Sequence, residues 1–90
     1  MAEQEMFNFG TALDHLQDSK RVARSGWNGK GMYILLVDGP EWSVDSYQMD
    51  EREFDLDTDG FILMRTAKGT LVPWLASQTD ILAADWLVVE

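Results

Sequence analysis

The apolar residues of this chain come in short runs, each closed by turn residues, and that spacing constrains the fold more than any other feature. Met32 to Val37 is a nearly continuous apolar strand, closed by Asp38-Gly39-Pro40. Phe61 to Arg65 and Thr70 to Val72 flank Ala67-Lys68-Gly69, the pattern of a β-hairpin. Trp86 to Val89 reads as a final strand. Arg21 to Arg24 reads as a short early one in which Val22 faces away from its basic neighbours. Pro73 has no N–H to give to a ladder, so it ends its strand or lies at a sheet edge. Phe9, Ala12, Leu13 and Leu16 recur instead at helical spacing, with Asn8 as N-cap and Phe7 placed as a hydrophobic staple against Ala12. This predicts a helix from Phe9 to Asp18 that lays Phe9, Leu13 and Leu16 on a sheet. Ser77, with Asp80 three residues on, resembles the capping box of a short helix ending near Ala84. The expected fold class is α+β: a small, mainly antiparallel sheet with one N-terminal amphipathic helix and a short C-terminal helix. The segment from Glu41 to Gly60 is acidic and weakly periodic and receives no element.

Ninety residues make one domain, 1–90, able to bury only about 60–65% of the surface its unfolded chain exposes. With no cysteine there is neither a disulfide nor a Cys-based zinc site to supplement the core. Ten aromatic residues in so small a chain favour extra stability through self-association, so a homo-oligomer is expected. Met1-Ala2-Glu3-Gln4-Glu5 is acidic and lacks the apolar run of a secretory signal, and no stretch has the length of a membrane span. The expected location is the cytoplasm, with no membrane partner.

A net charge of −9 argues against a nonspecific nucleic-acid binder. The charge is also unevenly distributed. Lys20, Arg21, Arg24 and Lys30 lie in an acid-free stretch from Ser19 to Val37, whereas Asp38 to Asp59 holds nine carboxylates against Arg52 alone. One basic patch on an acidic body suits a small anion carrying a few phosphates; the alternative is a set of solvated surface charges.

Two segments carry recognisable binding chemistry. The first is Arg24-Ser25-Gly26-Trp27-Asn28-Gly29-Lys30-Gly31-Met32. Its glycines let backbone N–H groups approach a ligand, Trp27 offers a face for a purine, and Asn28 can read a base edge. Lys30 and Arg24 can neutralise a diphosphate, Arg24 in a bidentate way. The same residues also describe an ordinary hairpin loop around a packed tryptophan. The spacing is neither that of a Walker loop nor of a Rossmann loop. The second segment, Val72-Pro73-Trp74-Leu75-Ala76-Ser77-Gln78-Thr79-Asp80, sets an aromatic beside a helix start bearing hydroxyl and amide groups suited to ribose. Here the alternative is that Ser77 and Asp80 cap the helix while Trp74, like Trp86, fills the core. Together the segments define the candidate ligand site: Arg24, Trp27, Asn28, Lys30, Gly31, Met32, Trp74, Ser77, Gln78 and Asp80.

Asp55-Leu56-Asp57-Thr58-Asp59-Gly60 imitates the start of an EF-hand, but Thr66 stands where the bidentate Glu belongs, so an acidic turn is the expectation. His15, the lone histidine, has no nucleophile or metal partner nearby in the sequence. No catalytic triad, metal cluster or covalent nucleophile motif can be named, so no enzymatic activity, metal or cofactor is expected. That leaves a phosphodiesterase without a base or metal ligands.

Three blocks, in order and spacing, carry a resemblance to a known family. They are Asn8-Phe9-Gly10-x-Ala12-Leu13; Val22-Ala23-Arg24-x-Gly26-Trp27-Asn28-Gly29-Lys30-Gly31-Met32; and Val72-Pro73-Trp74-x-x-Ser77-Gln78-x-Asp80-x-Leu82-Ala83-x-Asp85-Trp86. Over residues 7–38 and 61–90 the chain resembles the second family of Thoeris anti-defence proteins of phages and prophages. Residues 39–60 form a variable insert, unusually acidic here. The resemblance implies a homotetramer of small α+β subunits that captures glyco-cyclic ADP-ribose, the messenger of bacterial Thoeris immunity, and leaves it intact. It implies that some members also hold cyclic dinucleotides at a separate site. A ligand of roughly 35 non-hydrogen atoms, at about −0.3 kcal/mol per atom, would bind with about −10 kcal/mol, a dissociation constant on the order of tens of nanomolar. A rival function is inhibition of a host protein by an acidic nucleic-acid mimic. That rival needs carboxylates spread along a face, whereas these cluster in one segment.

Overall fold

The computed structural model describes residues 5–27, 30–37 and 59–90. The order of elements is α1 (Phe9–Gln17), β1 (Arg21–Arg24), β2 (Tyr33–Val37), β3 (Phe61–Arg65), β4 (Leu71–Pro73), α2 (Gln78–Leu82) and β5 (Trp86–Val89). Among the described residues the five strands form one sheet in the order β4-β3-β2-β1-β5, and every pairing is antiparallel. The α+β class expected from the sequence is the observed one.

Helix α1 starts where its local chemistry says it should. The Asn8 side chain accepts from the Thr11 N–H at 2.9 Å, a cap whose removal typically costs about 1 kcal/mol. The helix ends at Gln17, and Ser19 turns the chain away at φ 64°, with the N–H groups of Ser19 and Lys20 closing on the carbonyls of Leu16 and His15. The face α1 buries differs from the expected one. Ala12 and Leu16 are enclosed, whereas Leu13 is 38% exposed and Phe9 half-buried. Ala12 and Leu16 take the inward positions, and Leu13, next to Ala12 around the helix, is turned toward solvent. Phe7 exchanges backbone hydrogen bonds with Trp86 and sets its ring 4.8 Å from the ring of His15.

Register divides the sheet into two faces. Val22, Ile34, Met64, Val72 and Val88 share one cross-strand row, and this is the face under α1. Ala12, Leu16, Val22, Ile34 and Trp86 form its fully buried centre. Because side chains alternate with period two, Arg24 lies on the same face as Val22, and only Arg21 faces away. That corrects the expectation that both flanking arginines oppose Val22. The other face carries Leu35, Leu63, Val37, Phe61, Leu87 and Val89, all half-buried, with Arg21 over the ring of Tyr33 at 4.9 Å. Strand β4 is an edge, and Pro73 stands at its end, as its missing donor requires.

The topology also gives the sheet two distinct ends. Arg24 pairs with Trp86, and Tyr33 with Arg65, which pairs in turn with Leu71. The loop after β1, the β3–β4 hairpin and the segment from α2 into β5 therefore meet at one end. Val37 and Phe61 are paired at the other. The expected Asp38-Gly39-Pro40 turn and most of the acidic segment lie outside the described residues. No helix among the described residues is long and apolar enough to cross a membrane.

Candidate functional site

The candidate site lies at the end of the sheet where those three connections meet, and its organiser is Asp80. Five residues are too few for a helix to persist alone, so α2 depends on what holds it. Its capping box is complete: the Asp80 N–H donates to Ser77 Oγ at 3.1 Å, and the Asp80 carboxylate accepts from the Ser77 hydroxyl at 3.0 Å and from its backbone N–H at 3.4 Å. Tertiary bonds then fix the helix. Arg24 Nη1 donates to Asp80 Oδ1 at 2.9 Å, Trp27 Nε1 donates to the same oxygen at 3.3 Å, and Trp86 Nε1 donates to the Asp80 carbonyl at 3.0 Å.

Arg24 is a fork between two carboxylates. Its Nε donates to Asp85 Oδ1 at 2.8 Å while Nη1 holds Asp80. Asp85 completes the junction by accepting from the Gly26 N–H at 3.0 Å and the Ser25 hydroxyl at 3.3 Å. The three side chains are between 14% and 27% exposed, so the network is partly withdrawn from water. Beside it four aromatic rings pack together. Trp27 meets Trp86 edge-on at 5.3 Å and Trp74 at 6.4 Å, while Phe9 lies 5.3 Å from Trp86 and 6.1 Å from Trp74. Trp86 is fully buried; Trp27 and Trp74 are half-buried.

The electrostatics follow from these bonds. For Asp80, burial pushes the carboxyl up, but the hydrogen bonds from Arg24, Ser77 and Trp27 together outweigh it and hold it below the ordinary carboxylate range. For Asp85, the Arg24 guanidinium is the main cause of a lowered value, with the Gly26 N–H and the Ser25 hydroxyl assisting against desolvation. Arg24 is raised in turn, chiefly by Asp85 and then by Asp80, and stays charged at any practical pH. A carboxyl lowered on folding contributes stability that is complete above its unfolded value and is lost as pH falls through its native value. The acid limb of the stability curve is therefore expected to carry these two groups. Thermal melts from pH 7 down to pH 2 should show the native protein losing more stability below about pH 4 than an Asp85→Asn variant does.

The sequence-predicted site residues separate into groups. Arg24, Trp27, Ser77 and Asp80 are brought into one network, with Trp74 against it. Gln78 opens α2 and is exposed, as is Lys30, while Met32 is half-buried. Gly31 has φ 81° and is exposed. Asn28 lies outside the described residues, as do Asp55 to Thr58 of the EF-hand-like pattern. Among the described residues no three His, Cys, Asp or Glu side chains stand together as a metal site. His15 is half-buried against Phe7.

Two residues outside the candidate ligand set take structural parts here. Asp85 is the second acceptor of Arg24, 61 positions away in the chain. Arg65 donates from Nη1 to the Gly31 carbonyl at 2.8 Å and to the Thr66 carbonyl at 3.4 Å, so it ties the hairpin to the glycine-rich loop. The signal for Asp85 was its place in the third sequence block; for Arg65 there was only a basic residue ending an apolar strand.

The fold and site define a small α+β domain whose sheet end joins a tryptophan cluster, an arginine–carboxylate network and a glycine-rich loop. This chain belongs to the Thoeris anti-defense 2-like family, whose model matches residues 7–89. It is 36% identical over 84 residues to the protein named Thoeris anti-defense 2 of Bacillus phage SP01, an alignment covering 92% of this chain and 94% of that protein.

Proposed function

We propose that this protein is a phage anti-defence protein that binds glyco-cyclic ADP-ribose, the Thoeris messenger, and sequesters it uncleaved in the host cytoplasm. The observation that carries the reading is the similarity to Thoeris anti-defense 2 of a phage over nearly the whole of both chains. The site's chemistry agrees with binding. Trp27 and Trp74 are half-buried aromatics for a base, Lys30 is an exposed cation on the loop, and Ser77 and Gln78 sit exposed at the start of α2. Asp80 and Asp85 are both held low by Arg24, so neither is poised near neutral pH as a general acid or base. In this reading Arg24 braces the site, and Lys30 meets the phosphates.

Incubation with glyco-cyclic ADP-ribose, removal of free ligand, heat release and mass measurement test the proposal. Recovery of the intact messenger in stoichiometric amount is expected; a cleaved product, or none retained, overturns it. Trp27→Ala should weaken binding by about 1–3 kcal/mol through lost stacking, roughly 5- to 150-fold, while Trp27→Phe, which keeps a ring face, stays within a few-fold. Equal affinity of the parent and both variants in calorimetry would remove Trp27 from the pocket.

The working form is a homotetramer. The apolar second face of the sheet and the exposed Leu75 and Leu82, at 91% and 79%, are the surfaces that would favour it. Light scattering is expected to give four times the 10.2 kDa chain mass, and a stable monomer at micromolar concentration would exclude it.

A further inference from the structure

We infer that Arg65 is a positioning residue for the ligand loop: a guanidinium clamp that holds the Lys30-Gly31 segment against the β3–β4 hairpin. The inference rests on the proposed nucleotide-binding reading for its functional consequence, but its geometry stands apart. Arg65 ends β3 directly across from Tyr33, the first residue of β2. From there Nη1 reaches the Gly31 carbonyl at 2.8 Å in one loop and the Thr66 carbonyl at 3.4 Å in the other.

Both loops are shaped around that group. Gly31 has φ 81° and Gly69 φ 89°, a region that disfavours side chains. A Cβ at Gly31 would stand 2.6 Å from Arg65 Nη1, and one at Gly69 3.4 Å from Nη2. Nη1 thus stands in the space that a side chain at Gly31 would need, while a Cβ at Gly69 would only touch Nη2. The hairpin side is stiffened by its own bonds: the Thr66 N–H donates to the Thr70 carbonyl, the Gly69 N–H donates to the Thr66 carbonyl, and the two threonine hydroxyls meet at 2.7 Å. The rigid hairpin is the fixed jaw, and the loop is what it holds.

No carboxylate among the described residues pairs with Arg65, in contrast to Arg24. Its hydrogen bonds go to backbone carbonyls, which suits a group that sets loop shape. Lys30, the residue beside the clamped carbonyl, is exposed and has no ion-pair partner among the described residues. Fixing its backbone before a ligand arrives reduces the ordering cost that binding would otherwise carry.

The test uses the full chain with three variants, Arg65→Ala, Arg65→Lys and Gly31→Ala. Amide relaxation of Lys30, Gly31 and Gly69 is measured without ligand, and calorimetry is run with glyco-cyclic ADP-ribose. In the parent these amides should have order parameters near the rigid value of about 0.85, falling below about 0.6 for Lys30 and Gly31 in Arg65→Ala. Affinity should fall about tenfold, near the lower end for a hydrogen bond to a charged group. Arg65→Lys should behave like Arg65→Ala, because an ammonium keeps the charge but cannot set one nitrogen against Gly31 and another against Gly69 as Nη1 and Nη2 do. Adding Gly31→Ala to Arg65→Ala should lower affinity further, because a side chain at φ 81° strains the loop even when Nη1 is gone. Unchanged loop order in Arg65→Ala overturns the clamp, and parent-like affinity in Arg65→Lys overturns its positioning role. A parent that binds no messenger refutes the functional reading instead, while the relaxation data still decide the clamp.

Discussion

Replacing Trp86 with alanine is expected to destabilise the protein by about 3–5 kcal/mol, the range for truncating a large buried aromatic. Trp86 is fully buried, lies within 6.1 Å of three other ring centroids, and donates its indole N–H to the Asp80 carbonyl. Its backbone pairs with Arg24 on one side and with Phe7 on the other. A domain of this size has a total stability of only about 5–15 kcal/mol, so the variant should melt on the order of 20 °C lower. Urea denaturation followed by circular dichroism gives the value directly. Trp86→Phe should recover part of the loss, because the ring persists while the bond to α2 does not. A cost below about 1 kcal/mol for the alanine variant would mean that the aromatic cluster does not organise the core.

The second large effect belongs to Arg24. Removing one partner of a buried ion pair typically costs about 3–5 kcal/mol, because the remaining charge is left without its counterpart. Here the side chains retain some exposure, so about 2–3 kcal/mol is expected for Arg24→Ala at pH 7. The pH dependence distinguishes this from lost packing. Without the guanidinium, Asp80 and Asp85 face each other as like charges, and protonation relieves them. The deficit relative to the parent should therefore shrink as pH falls through the carboxylate range, near 4. A deficit of the same size at pH 7 and pH 3 would indicate that Arg24 contributes through its aliphatic stem alone.

Local chemistry was readable from the chain, and long-range chemistry was not. The Asn8 cap, the Ser77–Asp80 capping box, the Ala67-Lys68-Gly69 turn and the edge position of Pro73 each depend on residues a few positions apart. The Arg24 network spans 56 and 61 positions, so nothing near Arg24 reveals that its charge is already matched. A reading that sets both arginines opposite Val22 misplaces Arg24, because strand alternation puts it on the face of Val22. In α1 the periodic pattern marks Leu13 as readily as Leu16, and only the tertiary packing, which encloses Ala12 and Leu16 and leaves Leu13 partly exposed, decides between them. Arg65 illustrates a further limit, since a clamp made to backbone carbonyls leaves no complementary side chain in the sequence to betray it.

The pairing of Val37 with Phe61 has a consequence for how such a chain can diversify. The sheet already holds those two residues together, and for any flexible connection between ends so held, doubling its length adds only about 0.6 kcal/mol of closure entropy. The insertion point lies at the pole of the sheet away from Trp27, Asp80 and Arg65. One end of this small domain can therefore absorb changes of length and charge, or accept a fused label, while the other keeps its geometry.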